Sequence, residues 1–495
     1  MSDAAKENEE LREKHIAEIK KQERCRRRFR NIKKVLHKVH GPGMMSLDAP
    51  VEDDNGDIVG WETLTRKKEV HDRIISRNDK HLSQATNTPF GSGDGYERLT
   101  GDKRQEEFEA ILNGTYDWGD CTPATKTFLD GMERAFDSEK LEHELKEIGK
   151  EITIEDFKYA FTHRKESTAS SPSGRHIGHY KAVLKNDAII DIHVTMLNIA
   201  LRCGVAPERW RRSLNIMLAK KKGDMRLHRL RIIQLFEADF NFVLALVFGH
   251  RLMKFAQKHC GLNQAQYGSS AGKQCQSAVL NKILSYDIFR LLREDGAMSE
   301  LDAIACYDRI IPALVALACR RLGLGVSASE MLLDALRDVV HRVRTGHGVS
   351  VGKYAPRDNR HHFGTGQGSG GSPSFWRVIL EVILNAVDAE GEGLVFQNPQ
   401  GTVESKRTTD GFVDDCGLGV DGRDDNIVGR LQHLNQIHEE LLHVSGGKLS
   451  LEKSHWVYIH WEWKKGYPVL ADVGEKSEER LEGECYEEYE DGKVL

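Results

Sequence analysis

An aspartate stands inside an apolar strand. The run LDAIA at Leu301–Ala305 has strand texture, and Asp302 is its second residue. A carboxylate in such a place costs several kcal/mol unless it is paired or metal-bound. The chain then turns into the apolar helix PALVALACRR, with Asp308 as its expected N-cap, Pro312 in its first turn and an exit at Leu322–Gly323. A solvent-facing acid at a strand edge accounts equally well for Asp302 alone. A second acidic feature changes the balance. In TTDGFVDDCGLGV (Thr408–Val420) a short strand, Gly411–Val413, runs into Asp414 and Asp415 at the tip of an expected β-hairpin. Asp pairs at hairpin tips are ordinarily solvated turns, because the side chain bonds nearby backbone amides. Three carboxylates converging from two strands instead suit a hard divalent cation beside phosphate.

Charge supports a polyanionic partner only when read locally. The 495 residues carry a net charge of −5, but residues 11–40 hold 12 Lys and Arg against 3 Glu, and residues 211–231 hold 8 against 1 Asp. Residues 471–495 are acidic, with 10 Asp and Glu against 3 Lys and Arg. Segregated blocks are a better guide to nucleic-acid contact than the total. Nine cysteines without a C-x-x-C pair fit reduced thiols and give no zinc-finger spacing. No apolar run reaches the length of a membrane span, and MSDAAKENEELREKH lacks the apolar core of a secretory signal.

Along the chain, residues 4–39 read as one polar helix. CRRRFRNIKK (Cys25–Lys34) within it serves either as a solvated face or as a phosphate-binding or nuclear-import segment. Residues 44–100 read as irregular and residues 101–150 as mixed helix. Thr153 with Asp156 predicts a capped helix, and IIDIHVTMLNIALRCG a helix ending at Gly204. Leu214–Leu218 reads as a strand entering the basic turn KKKGD, and LFEADFNFVLALVFGHRLMKFAQKH as a mostly buried helix. The loop GTGQGSGGSP leads, through Ser372 as N-cap and Pro373, into a helix apolar on nearly every side, which should be buried.

The ordered set LDAIACYD, GQGSGGSP, FVDD and GGKLSLEKS resembles the palm of reverse transcriptases, especially those of group II introns and of retrotransposons without long terminal repeats. SPSGRHIGHYK, WRRSLNIMLAKKKGDMRLHRLRIIQL and NQAQYGSSAGKQCQSAV are similar to that family's upstream segments, so the resemblance spans about residues 170–460. It implies an α+β fold of right-hand fingers and palm, an antiparallel sheet packed on helices, with the thumb short or missing. The implied divisions are a basic arm at 1–45, an extension at 46–150, fingers at 151–298, palm at 299–465 and an acidic tail at 466–495.

The resemblance further implies an RNA-directed DNA polymerase from a retrotransposon. Such an enzyme adds deoxynucleotides from their triphosphates to a primer on an RNA or DNA template, inside the cell, in nucleus or cytoplasm, with no membrane contact. Two Mg²⁺ or Mn²⁺ ions about 3.5–4 Å apart would assist the displacement at phosphorus. Asp302 and Asp414 would bridge them and Asp415 would assist, while the carbonyl of Ala303 or its neighbour also reaches a metal. One carboxyl of the adjacent pair should then titrate high without metal. Lys220, Lys221, Lys222 and Arg231 would meet the triphosphate. Gln367 and Gly368 would lie under the template and new base pair. Tyr307 would block a ribose 2′-hydroxyl, and Lys453 would act as general acid near the leaving phosphate.

The sequence departs from the family at Gly370 and Gly371, where Pro and a bulky apolar residue are usual, so the loop should be looser. It also lacks a Pro after Arg231, and an insertion is expected near Gly346–His362. HIGH at His176–His179 matches a class I aminoacyl-tRNA synthetase signature but falls in a Ser/Gly/Pro loop with no KMSKS-like partner. The alternative of another functional class is a decayed or domesticated palm that binds nucleic acid without catalysis.

Overall fold

The computed structural model describes residues 3–40, 44–53, 58–166, 168, 172–358, 360–391, 393–398 and 400–471. It is a mixed α+β structure of helices and mainly antiparallel sheets. The polar N-terminal segment is one helix, Asp3–His40, whose described side chains are exposed. Most of the acidic tail, from residue 472, lies outside the described residues.

Residues 44–100 are not irregular. They form a hairpin, β1 (Leu47–Glu52) with β2 (Ile58–Leu64), then helices Lys67–His81 and Gly93–Thr100. Pro50 hides the first strand from a sequence reading, because proline sits in sheets only where its missing amide is not needed. Leu47, fully buried, joins Val70 and Ile74 of the following helix and Leu82 just past its end in a core beneath β3 (Arg212–Ala219) and β4 (Leu230–Leu235). The β3–β4 pair is antiparallel and carries the basic turn between its strands.

The central sheet is built on β5 (Gly296–Asp302). The strand ends at Asp302 rather than running on to Ala305, because Ala305 is left-handed at φ 48° and starts the short helix Cys306–Arg309. Asp308 therefore lies within that helix. The next helix, Pro312–Arg321, is flanked by Ile311. β6 (Val340–Thr345) runs parallel to β3, and β7 (Gly348–Val349) extends that sheet. Helix Ser372–Ala389 is buried along nearly its whole surface, as its composition requires. Gly371 flanks it, so Ser372 is its first residue rather than its cap.

A small β8 (Leu394–Gln397) and β9 (Glu404–Arg407) hairpin precedes β10 (Thr409–Phe412) and β11 (Asp415–Asp421). Val413 belongs to the turn between them, not to the strand. The sheet closes with β12 (His455–Ile459), giving the order β10-β11-β5-β12 with every neighbour antiparallel. β13 (Trp461–Lys464) and β14 (Tyr467–Leu470) follow as a separate hairpin.

Local signals hold where the chemistry is local. Thr153 Oγ1 accepts the Asp156 N–H at 3.1 Å, and Asp156 Oδ2 accepts the Thr153 N–H at 3.1 Å, the reciprocal box its spacing predicts. Gly204 ends helix Asp187–Cys203 in the left-handed region at φ 70°. His176 is not in a loop interior. It caps the short helix Ile177–Val183, its Nδ1 accepting the Gly178 N–H at 2.9 Å.

Candidate functional site

The site assembles at one end of the central sheet. β5 and β11 pair so that Asp302 stands directly opposite Asp415. Directly opposed residues of an antiparallel pair present their side chains on the same face, with Cβ atoms about 4.5–5.5 Å apart. The Ala303 N–H donates to the Asp414 carbonyl at 3.2 Å, which draws Asp414 to the same end. From the far side, the Ser450 N–H donates to the Asp302 carbonyl at 2.8 Å and the Asp302 N–H donates to Ser454 Oγ at 3.2 Å. Lys453 Nζ ion-pairs with Asp302 Oδ2. Residues far apart in sequence thus meet at one strand end.

Electrostatics follow from this crowding. The Asp415 carboxyl is pushed above the ordinary aspartate range, first by loss of surrounding water and then by the charges of Asp414 and Asp302, while Lys282 opposes. Lys282 itself pairs with Glu300. These two residues carried no sequence signal, since neither lies in a recognisable motif. The Lys220 ammonium is held below the usual lysine range, again first by loss of water, then by Lys453, Arg231 and Arg77, with Asp302 opposing. Lys220 and Arg231 therefore share the electrostatic neighbourhood of the carboxylates. Lys221 and Lys222 line a separate groove with Asp48, Trp61 and Arg226. The sequence treats the four cations as one cluster, and the structure divides them.

The turn holding the acidic pair is strained. Val413 is left-handed at φ 61°, an outlier for a β-branched residue. The Trp376 indole N–H bonds its carbonyl, and a Cβ on Gly268 would sit 2.4 Å from its nitrogen. Strain of this kind costs about 1–3 kcal/mol and concentrates at functional sites.

Tyr307 lies half-buried on the short helix after β5. Burial raises its phenol above the ordinary range, with Cys306 and Asp414 adding to it. Its carbonyl accepts the Thr365 N–H at 2.8 Å, and His81 Nε2 lies 3.1 Å from Asp308 Oδ2 behind it. Gln367 and Gly368 run beside β4. The Gln234 N–H donates to the Gln367 carbonyl at 2.8 Å, and Gly368 has φ 111°. Gly370 and Gly371 sit where a side chain would be crowded. A Cβ at Gly370 would lie 2.7 Å from the Asn241 carbonyl oxygen, and one at Gly371 would lie 2.5 Å from the Phe375 ring. Asn241 Oδ1 also accepts the Gly370 N–H at 2.8 Å.

The donor set of three carboxylates is of the hard-oxygen type that Mg²⁺ and Mn²⁺ prefer. As placed, the side chains do not form a closed cage. Among the described residues no group of three or more His, Cys, Asp or Glu side chains is arranged to hold a metal ion, and Lys453 supplies the countercharge on Asp302.

No family model matches the chain, and no curated protein matches it. Among solved structures, an apo telomerase from Candida tropicalis, truncated from its C-terminal domain, is similar at 13% identity and a TM-score of 0.33. The likeness covers 51% of this chain and 51% of that one, so the chain spans about half of that structure's length. Among the described residues no helix is long and apolar enough to cross a membrane.

Proposed function

We propose that this chain is an RNA-directed DNA polymerase of the reverse-transcriptase kind, with fingers and palm and a retrotransposon origin. The carrying observation is the register that sets Asp302 against Asp415 and ties Asp414 to Ala303. Asp302, Asp414 and Asp415 are the residues that would hold two Mg²⁺ or Mn²⁺ ions. Such ions, when bound, neutralise the triphosphate and lower the pKa of an attacking hydroxyl.

The chain's own groups supply the rest. Lys220 and Arg231 receive the triphosphate as point charge and planar fork respectively. Tyr307 walls the sugar and excludes a 2′-hydroxyl. Gln367 and Gly368, tied to β4 through the Gln367 carbonyl, would lie beneath the new base pair. Lys453, whose ammonium pairs with Asp302, would pass a proton to the leaving pyrophosphate.

Primer extension on poly(rA)/oligo(dT) with Mg²⁺ or Mn²⁺ tests this reading. Asp414→Ala should lower extension by about 10²–10³ or more, the scale of removing one electrostatic contact to the reacting group. A second reading, a palm that binds nucleic acid without catalysis, draws on the Lys453–Asp302 pair and the open carboxylate arrangement. Duplex binding with no extension by either protein would select it.

A further inference from the structure

The hairpin β1–β2 and the basic turn after β3 enclose an open groove of about 680 Å³. Its walls are Asp48, Trp61 and Thr63 on one side and Lys221 to Arg226 on the other. Trp61 is 40% exposed, although tryptophan is usually well buried. It is not needed to dock the hairpin. Leu47 is fully buried, and the Asp48 N–H donates to the Met225 carbonyl at 3.1 Å, so the anchor lies in β1.

The ring instead belongs to a polar, cationic shelf. The Arg226 guanidinium lies 5.8 Å from its centroid, and the His228 ring lies 5.1 Å away, tilted by 33°. Lys221 and Lys222 are exposed at the rim. The acids in the wall are already engaged. Asp224 pairs with Arg226 at 2.8 Å and Arg229 at 3.4 Å, and Asp48 accepts from Thr63 Oγ1 at 2.8 Å.

We propose that this groove binds an unpaired nucleic-acid strand, with one base stacked on Trp61 and the neighbouring phosphates on Lys221 and Lys222. An accessible indole flanked by cations is the arrangement that holds single strands without reading sequence, because every base has a π-face. The groove is too open to enclose a small ligand, and its cations and aromatic ring favour a strand over an acidic peptide. Lys220, next in the chain, interacts electrostatically with Asp302, so the groove adjoins the carboxylate site. The identity of the strand as template rests on the polymerase reading. Binding itself does not.

The test is fluorescence anisotropy of the full chain with labelled 12-nucleotide oligo(dT) and oligo(U), without divalent metal, beside a blunt duplex. Trp61→Ala should weaken single-strand binding about ten-fold, the effect of losing one base–aromatic stack. Trp61→Phe should restore most of it, and blunt-duplex affinity should stay within two-fold. Lys221→Gln/Lys222→Gln, at an exposed turn where folding is not at stake, should lower the salt slope of log K for single strands by about 1.4. Equal single-strand binding by wild type, Trp61→Ala and the double variant overturns the proposal, as does failure of the wild type to bind single strands. Absent primer extension with these binding effects intact removes the polymerase reading and leaves the groove standing. Extension with binding unaffected by these variants does the reverse.

Discussion

Tyr307 shows how much one side chain is asked to do. Its carbonyl accepts the Thr365 N–H, and His81 pairs with the side chain of Asp308 next to it. On the polymerase reading proposed above, its phenol would wall the sugar. Discrimination by one steric contact with one hydroxyl is worth about 1–3 kcal/mol, or 10- to 200-fold. Tyr307→Val should therefore raise the kcat/KM for ribonucleotides relative to deoxynucleotides by about that factor, leaving deoxynucleotide use largely intact. Competing the two nucleotide types in a single-turnover extension reads it directly. An unchanged ratio would mean that the sugar is sensed elsewhere. The residue was visible in the sequence, five places after Asp302. His81 was not, because its contact with Asp308 bridges 227 positions and a lone histidine on a polar helix carries no pattern.

At the scale of elements, the acidic turn depends on the loop that holds Gly268. Val413 is kept left-handed between Trp376 and the Gly268 backbone. The loop is tied to β10 as well, with the Tyr267 N–H on the Gly411 carbonyl at 2.7 Å. Gly268→Ala would force its new methyl against the Val413 nitrogen, backbone against which no rotamer gives way. Overpacking of this kind costs about 1–3 kcal/mol. The expected outcome is a lower urea midpoint together with a larger loss of extension than stability alone explains, because the turn carries Asp414 and Asp415. Activity falling only in step with the unfolded fraction would refute the coupling.

Elements of this sort divide what was legible from what was not. Asp302 and the Asp414–Asp415 pair could be read because apolar strands with embedded acids are chemically costly. The capped helix at Thr153 could be read because its signal closes within four residues. The β1–β2 hairpin could not, since its few apolar runs and the turn residues DDNGD read as irregular. The division of Lys220 and Arg231 from Lys221 and Lys222 could not either, because the direction of a turn is set by what docks against it. Here that is the hairpin itself.

At the scale of the whole molecule, the largest hydrophobic core joins residues 85–132 to the central sheet. Phe108, Phe128 and Met132 share it with Leu317, Ile379 and Leu418. Helix Ile427–Val444 packs its inner face into the same core and brings His438 with it, 3% exposed, with neither ring nitrogen bonded. Burial alone holds that imidazole down, from 6.5 to about 4. The sign follows. The unfolded chain takes up a proton below about pH 6.5 while the folded one refuses it until about pH 4, so stability is full above that window and falls as pH drops through it. The gap corresponds to roughly 3 kcal/mol for this one side chain. His438→Leu keeps an apolar group in the space and removes the titration. Its urea midpoint should accordingly change little at pH 7.5 and should exceed that of the wild type increasingly from pH 6.5 down to pH 4. His443, also lowered to about 4 with burial as the first cause, contributes the same slope to both proteins and cancels in the comparison. Parallel pH profiles for the two proteins would show that the imidazole gains a partner or water, and that the core is open at that point.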